Sequence, residues 1–319
     1  MPDWLVLIWL ILLSGVAGGA AYQAQHSKRR LRKLAKRTDF WAKHDRFIRP
    51  LQAANETRLR TWQRQNGSEG RPVPALMAGP HGDDVFLLEV LRPFESTTPG
   101  RFLECGAYDG LLLSVTWAFE SLGWSGVLIE PDPDTGSACE KNRPGCRVVR
   151  AAVGAPDGPD AITLRIARGA PMSGLMNYTA GSEILTKEQR EADIEDVRVP
   201  LTTLDAALDD KLHGRGDGTD TPLDLMVLDV EGNELAALSG FDFDRWKPRA
   251  LFIEDNSQGA DRAVPDLMRD KGYIRAARFL QNDLYLKPDD TDAIQRARLY
   301  QVEMPAAVRG TTQREPDAS

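Results

Sequence analysis

At 319 residues with 42% hydrophobic content, the chain is long enough to bury one substantial core, and neither disorder nor a fibre fits that composition. The net charge of −7 is unevenly spread, because residues 1–71 carry 14 Lys/Arg against 5 Asp/Glu, which leaves −16 for residues 72–319. So acidic a body lacks the cations that displace counterions from a polyanion, and nucleic acid is set aside as a partner.

From Trp4 to Tyr22 no residue is charged, enough helix to cross a hydrocarbon core of about 30 Å. Residues 1–27 are therefore expected to be a transmembrane signal anchor. A cleaved signal peptide would begin with Lys or Arg, and here only Asp3 precedes the apolar run; the Ala/Gly cluster at 17–21 keeps cleavage as an alternative. The block Lys28, Arg29, Arg30, Arg32, Lys33, Lys36 and Arg37 resists translocation. The expectation is a single-pass membrane protein, tied to the membrane by this helix and its basic flank, with the following domain in the cytoplasm. Gly15 and Gly19 form a small-xxx-small pair that does not fix an oligomeric state.

Residues 28–78 read as a basic juxtamembrane helical arm and a linker, with Phe40, Trp41, Phe47, Ile48, Leu51, Leu59 and Trp62 at roughly helical spacing and breakers from Asn66 to Pro74. Residues 79–290 form the expected domain. Its strands are Arg101–Cys105, Gly126–Glu130, Arg147–Ala151, Leu223–Asp229 and Ala250–Glu254, alternating with helical stretches, the pattern of parallel strands joined by crossover helices. Tyr273–Phe279 and Asp283–Lys287 form a terminal hairpin. The fold class is thus α/β with a Rossmann-like, mostly parallel sheet ending in an antiparallel hairpin. Residues 291–319 are expected to be a C-terminal helix and an unstructured tail. The irregular stretch Gly169–Tyr178 is either an acceptor-side lid or a solvated loop, and Leu212–Pro222 is a solvated turn.

The strongest chemical signal is Phe102-Leu-Glu-Cys-Gly-Ala-Tyr-Asp-Gly110, an apolar strand running into a glycine turn and then a helix. Its spacing is neither the Gly-x-Gly-x-x-Gly of a dinucleotide site nor a phosphate loop, which disfavours a nicotinamide-dependent oxidoreductase and favours a nucleoside ligand without phosphates. The next strand ends in Glu130, where doubly wound folds hold ribose hydroxyls. Cys105, Cys139 and Cys146 make neither a disulfide framework nor a zinc site. Of the histidines, only His81 lies in a loop close to the start of the domain, within reach of the site, and a surface position is the simpler reading.

Together Phe102–Gly110, Ser114-Val-Thr116, Trp124–Pro133, Ala151–Gly154, Val199–Asp205 and Leu228–Glu234 resemble the FkbM-type methyltransferases, a class I family that uses S-adenosylmethionine and is mostly assigned to O-methylation. The resemblance implies that Glu104, Gly106 and Gly110 border the methionine part of the cofactor, that Glu130 holds its ribose, and that Ala152 and Val153 sit beside the adenine. Val115 stands where the family usually has Asn. Ser114 and Thr116 are as readily helix caps as ligand contacts.

Asp229 ends an apolar strand at the mouth of the sheet and Glu231 follows it; these two are the candidate catalytic acids, while Glu234 also fits as a charge in a first helical turn. Asp255 and Asn256 follow the next strand. A divalent cation, Mg2+, held by Asp229, Asp255 and Asn256 is one reading; the other has Asp255-Asn256 opening a loop with their side chains on backbone amides. The expected activity is O-methylation of a hydroxyl on a glycan, glycolipid or other membrane-proximal small molecule. The alternative is a membrane-tethered, non-catalytic binding module of the same fold.

Overall fold

The computed structural model describes residues 36, 39–66, 80–96, 98–168, 175–176, 193–209 and 222–305. The span expected over residues 4–22 lies outside them, as do the tail from 306 onward, the loop 210–221 and all of 169–178 except 175–176. Among the described residues no helix is long and apolar enough to cross a membrane. The chain divides into two compact units, residues 1–49 with 304–319, and residues 50–303. Residues 39–65 are helical (α1). In the first unit the described helix carries the exposed pairs Asp39–Lys43 (2.7 Å) and Asp45–Arg49 (2.6 Å), which add little stability.

In the second unit the chain order is α2 (Asp83–Leu91), β1 (Arg101–Cys105), α3 (Trp117–Ser121), β2 (Ser125–Ile129), α4 (Pro133–Asn142), β3 (Arg147–Val149), β4 (Ala152–Val153), β5 (Ala161–Arg168), β6 (Leu175–Met176) and β7 (Asp193–Thr202). There follow α5 (Leu204–Leu208), β8 (Leu225–Leu228), α6 (Glu234–Ser239), α7 (Phe243–Trp246), β9 (Ala250–Glu254), α8 (Ala263–Asp270), β10 (Ile274–Leu280), β11 (Asn282–Leu286), α9 (Thr291–Tyr300) and β12 (Val302–Glu303).

Eight strands make the main sheet in the order β12-β10-β11-β9-β8-β1-β2-β3. β3, β2, β1, β8 and β9 run parallel, and β11 enters antiparallel between β9 and β10. The central strands β8 and β9 are buried almost throughout, which is why Leu225–Leu228 and Ala250–Ile253 are continuous apolar runs rather than alternations. On one face Leu103, Ile129, Met226, Leu228 and Ile253 pack against Leu238, Phe243 and Trp246. On the other, α2 is buried along all nine residues, and its Phe86 ring stacks on Phe279 at 4.5 Å. A helix enclosed on every side has no polar face, and Val85-Phe-Leu-Leu88 shows none.

The sequence did not announce the second sheet, β4-β7-β5-β6. Its long antiparallel pair β5/β7 alternates Ile162, Leu164 and Ile166 inward with Thr163 and Arg165 outward over a small core completed by Ala152 and Val199.

Candidate active site

Strand order reverses between β1 and β8, and open α/β sheets bind ligands outside the carboxyl ends of strands at such a point. A cavity lies there, and Glu104, Gly106, Glu130, Asp229 and Glu231 all line it.

Gly106 has φ +83°, and a Cβ on it would sit 2.1 Å from the carbonyl oxygen of Asp229. The glycine is therefore required by the approach of two backbones, β1 to β8, and not only by room for a ligand. Gly110 (φ +79°) does not line the cavity; a Cβ there would meet Arg143 at 2.7 Å and Cys139 at 2.9 Å.

Glu104 is buried, and its carboxylate accepts hydrogen bonds from Val115 N (2.6 Å), Ser114 Oγ (3.0 Å) and Thr116 Oγ1 (2.5 Å). Ser114 and Thr116 thus neither cap a helix nor face a ligand. Thr116 stands at the N-cap of α3 with no capping bond because its hydroxyl is committed to Glu104. Behind them the fully buried Arg143 donates to Ser114 Oγ (3.0 Å), Thr116 Oγ1 (3.3 Å) and the Gly110 carbonyl (2.9 Å), and pairs with Glu120. One guanidinium fork locks the segment from Gly110 to Thr116.

Glu130 accepts from Tyr108 N (2.8 Å), Asp132 N (3.0 Å) and Thr135 Oγ1 (2.9 Å). A carboxylate has about four acceptor positions, so one remains for a ligand hydroxyl and a two-pronged contact does not fit. Burial raises its pKa to about 7 against the three bonds that lower it. Asp132 caps α4 through Asp134 N, with Pro133 in the first turn, which turns the chain away as soon as Glu130 is placed.

The second half of the cavity is an acid cluster. Asp229 and Glu254 share a hydrogen bond in which burial and the neighbouring Asp229 push Glu254 well above its ordinary value, so Glu254 carries the proton and donates it toward Asp229. Burial, then Asp229 and Glu234, raise Glu231 to about 7. Glu231 holds φ +55° in the turn after β8, and Glu234 fixes that turn by accepting from Gly232 N (3.0 Å) and Val230 N (3.3 Å). Glu234 thus opens α6, as a first-turn acid would, and also positions Glu231.

Ala152 and Val153 are buried in β4 and do not line this cavity. Asp255 and Asn256 line a separate depression. Burial opposes ionisation of Asp255, but bonds from Ser257 and Arg278 prevail and hold it below its ordinary value. Asn256 Nδ2 donates to Glu254 (2.7 Å). With Asp255 neutralised by Arg278, the proposed set Asp229, Asp255 and Asn256 does not fit a magnesium ion, and among the described residues no group of three or more His, Cys, Asp or Glu is arranged to hold a metal. Side chains alternate along a strand, so Phe252 and Glu254 face the cavity while Asp255 turns away. The acid to single out at this strand end is Glu254, one residue earlier than expected.

The family model of the methyltransferase FkbM domain matches residues 104–275, more than half of the chain. The chain belongs to the FkbM methyltransferase family. It is accordingly an S-adenosylmethionine-dependent methyltransferase. Among solved structures, the chain is similar to the ribosomal protein L11 methylase from Lactobacillus delbrueckii subsp. bulgaricus (13% identity, 66% of this chain and 80% of that one, TM-score 0.34). The delta-N METTL16 MTase domain (13%, 74% and 93%, 0.36) and the plantazolicin methyltransferase BpumL in complex with SAH (9%, 82% and 74%, 0.27) are also similar. Among curated proteins, none matches the sequence.

In this FkbM methyltransferase several site residues escaped sequence reasoning. Asp83, Gln281 and Asn282 line the cavity from outside the matched segment, and Arg143 acts from beneath it. His81 is exposed, yet lines the cavity too. Burial of Glu130 and Glu231 should make the stability of the ligand-free FkbM domain fall as pH rises. A carboxyl whose folded-state pKa is raised binds its proton more tightly when folded, so its contribution is whole below the ordinary value of 4.5 and is lost as pH rises toward 7. Glu130 and Glu231 each give up as much as roughly 3 kcal/mol over that window. Thermal melts of the ligand-free protein should show a higher midpoint near pH 5 than near pH 8. A midpoint that climbs with pH across this range contradicts the burial of these acids.

Proposed function

We propose that this FkbM methyltransferase methylates a hydroxyl oxygen on a glycan, glycolipid or other membrane-proximal small molecule, from the cytoplasmic face of a membrane to which residues 4–37 tether it. The observation that supports the cofactor half of this reading is the charge of the cavity. Seven carboxyl groups, those of Asp83, Glu104, Glu130, Asp132, Asp229, Glu231 and Glu254, line it, of which burial pushes Asp83 and Glu254 toward the neutral form, and no described lining residue is Lys or Arg to offset the others. Such a site repels the pyrophosphate of a dinucleotide and attracts a ligand carrying a sulfonium and an ammonium group.

S-adenosylmethionine supplies an electrophilic methyl group when bound. Glu130 would hold a ribose hydroxyl with its one open acceptor position, and the Gly106 turn, fastened by the bonds from Gly106 N and Ala107 N to the Ile129 carbonyl, would border the methionine part. The acceptor hydroxyl gives up its proton as its oxygen is methylated, and the partly buried carboxylate Asp229, with Glu231 beside it, takes that proton. The remaining work is orientation and exclusion of water.

Calorimetric titration of the detergent-solubilised full chain with S-adenosylmethionine tests the cofactor site. Glu130→Gln removes one charge-assisted bond and should weaken binding by roughly 1.5–3 kcal/mol; unchanged affinity removes Glu130 from the site. Incubation with labelled methyl donor and fractionated cell envelope tests the chemistry, with the label expected in a methyl ether. Cofactor binding without transfer to any fraction favours the non-catalytic module instead.

A further inference from the structure

Asp83 is 2% exposed, and its Oδ1 has no hydrogen-bond partner although it belongs to the cavity wall. Oδ2 receives one long bond from Asn282 Nδ2 at 3.3 Å. An unsatisfied polar atom at this depth is costly unless something else meets it. The backbone goes out of its way to put the carboxyl there: His81 (φ +54°) and Gly82 (φ +94°) are both left-handed immediately before Asp83 opens α2.

The sheet gives the position its meaning. Along the carboxyl edge the order is β2, β1, β8, β9, β11, so Glu130 marks one end, the Asp229–Glu254 pair the middle, and Asn282 the other end. Because β11 is antiparallel, its first residue lies at this edge, and Asn282 is in register with Glu254. Asp83 and Asn282 thus lie beyond the proton-accepting acids, on the side away from Glu130. Both residues also fall outside the segment 104–275 matched by the family.

We propose that Asp83, set by Asn282, binds the methyl acceptor by hydrogen-bonding a second, uncharged hydroxyl of a polyol, and so selects neutral sugars over acidic ones. This rests on the methyl-transfer reading above. A protonated carboxyl offers one donor and one acceptor, which matches a hydroxyl group that also does both. Burial first, then the charges of Asp84 and Asp229, push the Asp83 carboxyl well above its ordinary value and so toward that neutral form. A carboxylate- or phosphate-bearing acceptor would meet the remaining acids of the cavity as like charges.

The test uses the full chain in detergent with S-adenosylmethionine, a panel of methyl hexopyranosides and the corresponding hexuronides, for the parent, Asp83→Asn and Asp83→Ala. Calorimetry with S-adenosylmethionine alone is run on all three, and thermal melts confirm folding. The expected result is transfer to at least one hexopyranoside and to no hexuronide. Asp83→Ala should raise KM for the sugar about tenfold or more with kcat and cofactor affinity within about threefold, and Asp83→Asn, which keeps a donor and an acceptor, should recover most of the loss. With cofactor binding intact, an unchanged KM in Asp83→Ala, a preference for hexuronides, or no transfer to any hexopyranoside overturns this proposal alone. Failure of the parent to bind S-adenosylmethionine overturns the methyl-transfer reading and this proposal with it.

Discussion

Gly106→Ala should abolish measurable S-adenosylmethionine binding and lower stability by roughly 3–5 kcal/mol, from left-handed strain and overpacking together. The added Cβ would lie 2.1 Å from the Asp229 carbonyl oxygen, a backbone atom that cannot rotate aside. Asp229 is itself tied to β1 by the bond from its N–H to the Cys105 carbonyl (3.2 Å), so relief must come from parting β1 and β8 where the cavity forms. Gly272→Ala is the matching control: its φ is +79°, yet nothing lies within 4 Å of the added Cβ. It should cost about 1–2 kcal/mol by strain alone and leave binding intact. Chemical denaturation of both variants, paired with calorimetry, decides the matter. Equal losses would mean that the contact between β1 and β8 is not rigid.

The second large effect is kinetic. Asp229→Asn should lower kcat by about 10²–10⁴ while leaving S-adenosylmethionine affinity within about threefold, because it removes the proton acceptor and keeps the shape. Glu254→Gln should be mild, since an amide still donates to Asp229, whereas Glu254→Ala should be severe, since it leaves the partly buried Asp229 carboxylate without its donor. With Glu231 at about 7, kcat should fall as pH drops below about 7, and because these acids interact the midpoint belongs to the group rather than to one residue. If Asp229→Asn keeps more than about a tenth of kcat, Glu231 is the base.

Central strands were readable because a parallel strand buried on both faces is a bare apolar run: Ala250–Glu254 matches its expected limits and Leu225–Leu228 lies within its own, while Arg101–Cys105 also matches although Arg101 and Glu104 interrupt its apolar residues. Gly106, Glu130 and Asp229 could be singled out because each directly follows a strand, whereas Glu104 lies one residue inside β1 and Glu231 in the turn beyond β8. The β5/β7 pair was not, because Thr163 and Arg165 on its outer face dilute the apolar signal. At β9 the choice between Glu254 and Asp255 depends on which face a side chain takes, and one residue reverses it. Arg143 and Asp83 were invisible for a different reason: a buried charged residue has the same letter as an exposed one, and only the third dimension shows what surrounds it.

The insertion of β11 between β9 and β10 has a bearing on how the chain is made. On the ribosome, β9 emerges with β8 already available on one side, but its other edge finds no partner in the β10 segment that follows; it must wait for Asn282–Leu286. Until then a long apolar strand, Ala250–Glu254, has one row of amides and carbonyls bare, a template for pairing with another nascent chain. A fragment ending at residue 275, where the family match stops, would keep that edge open permanently and is expected to aggregate, so fragments of this enzyme should be cut no earlier than the end of β11.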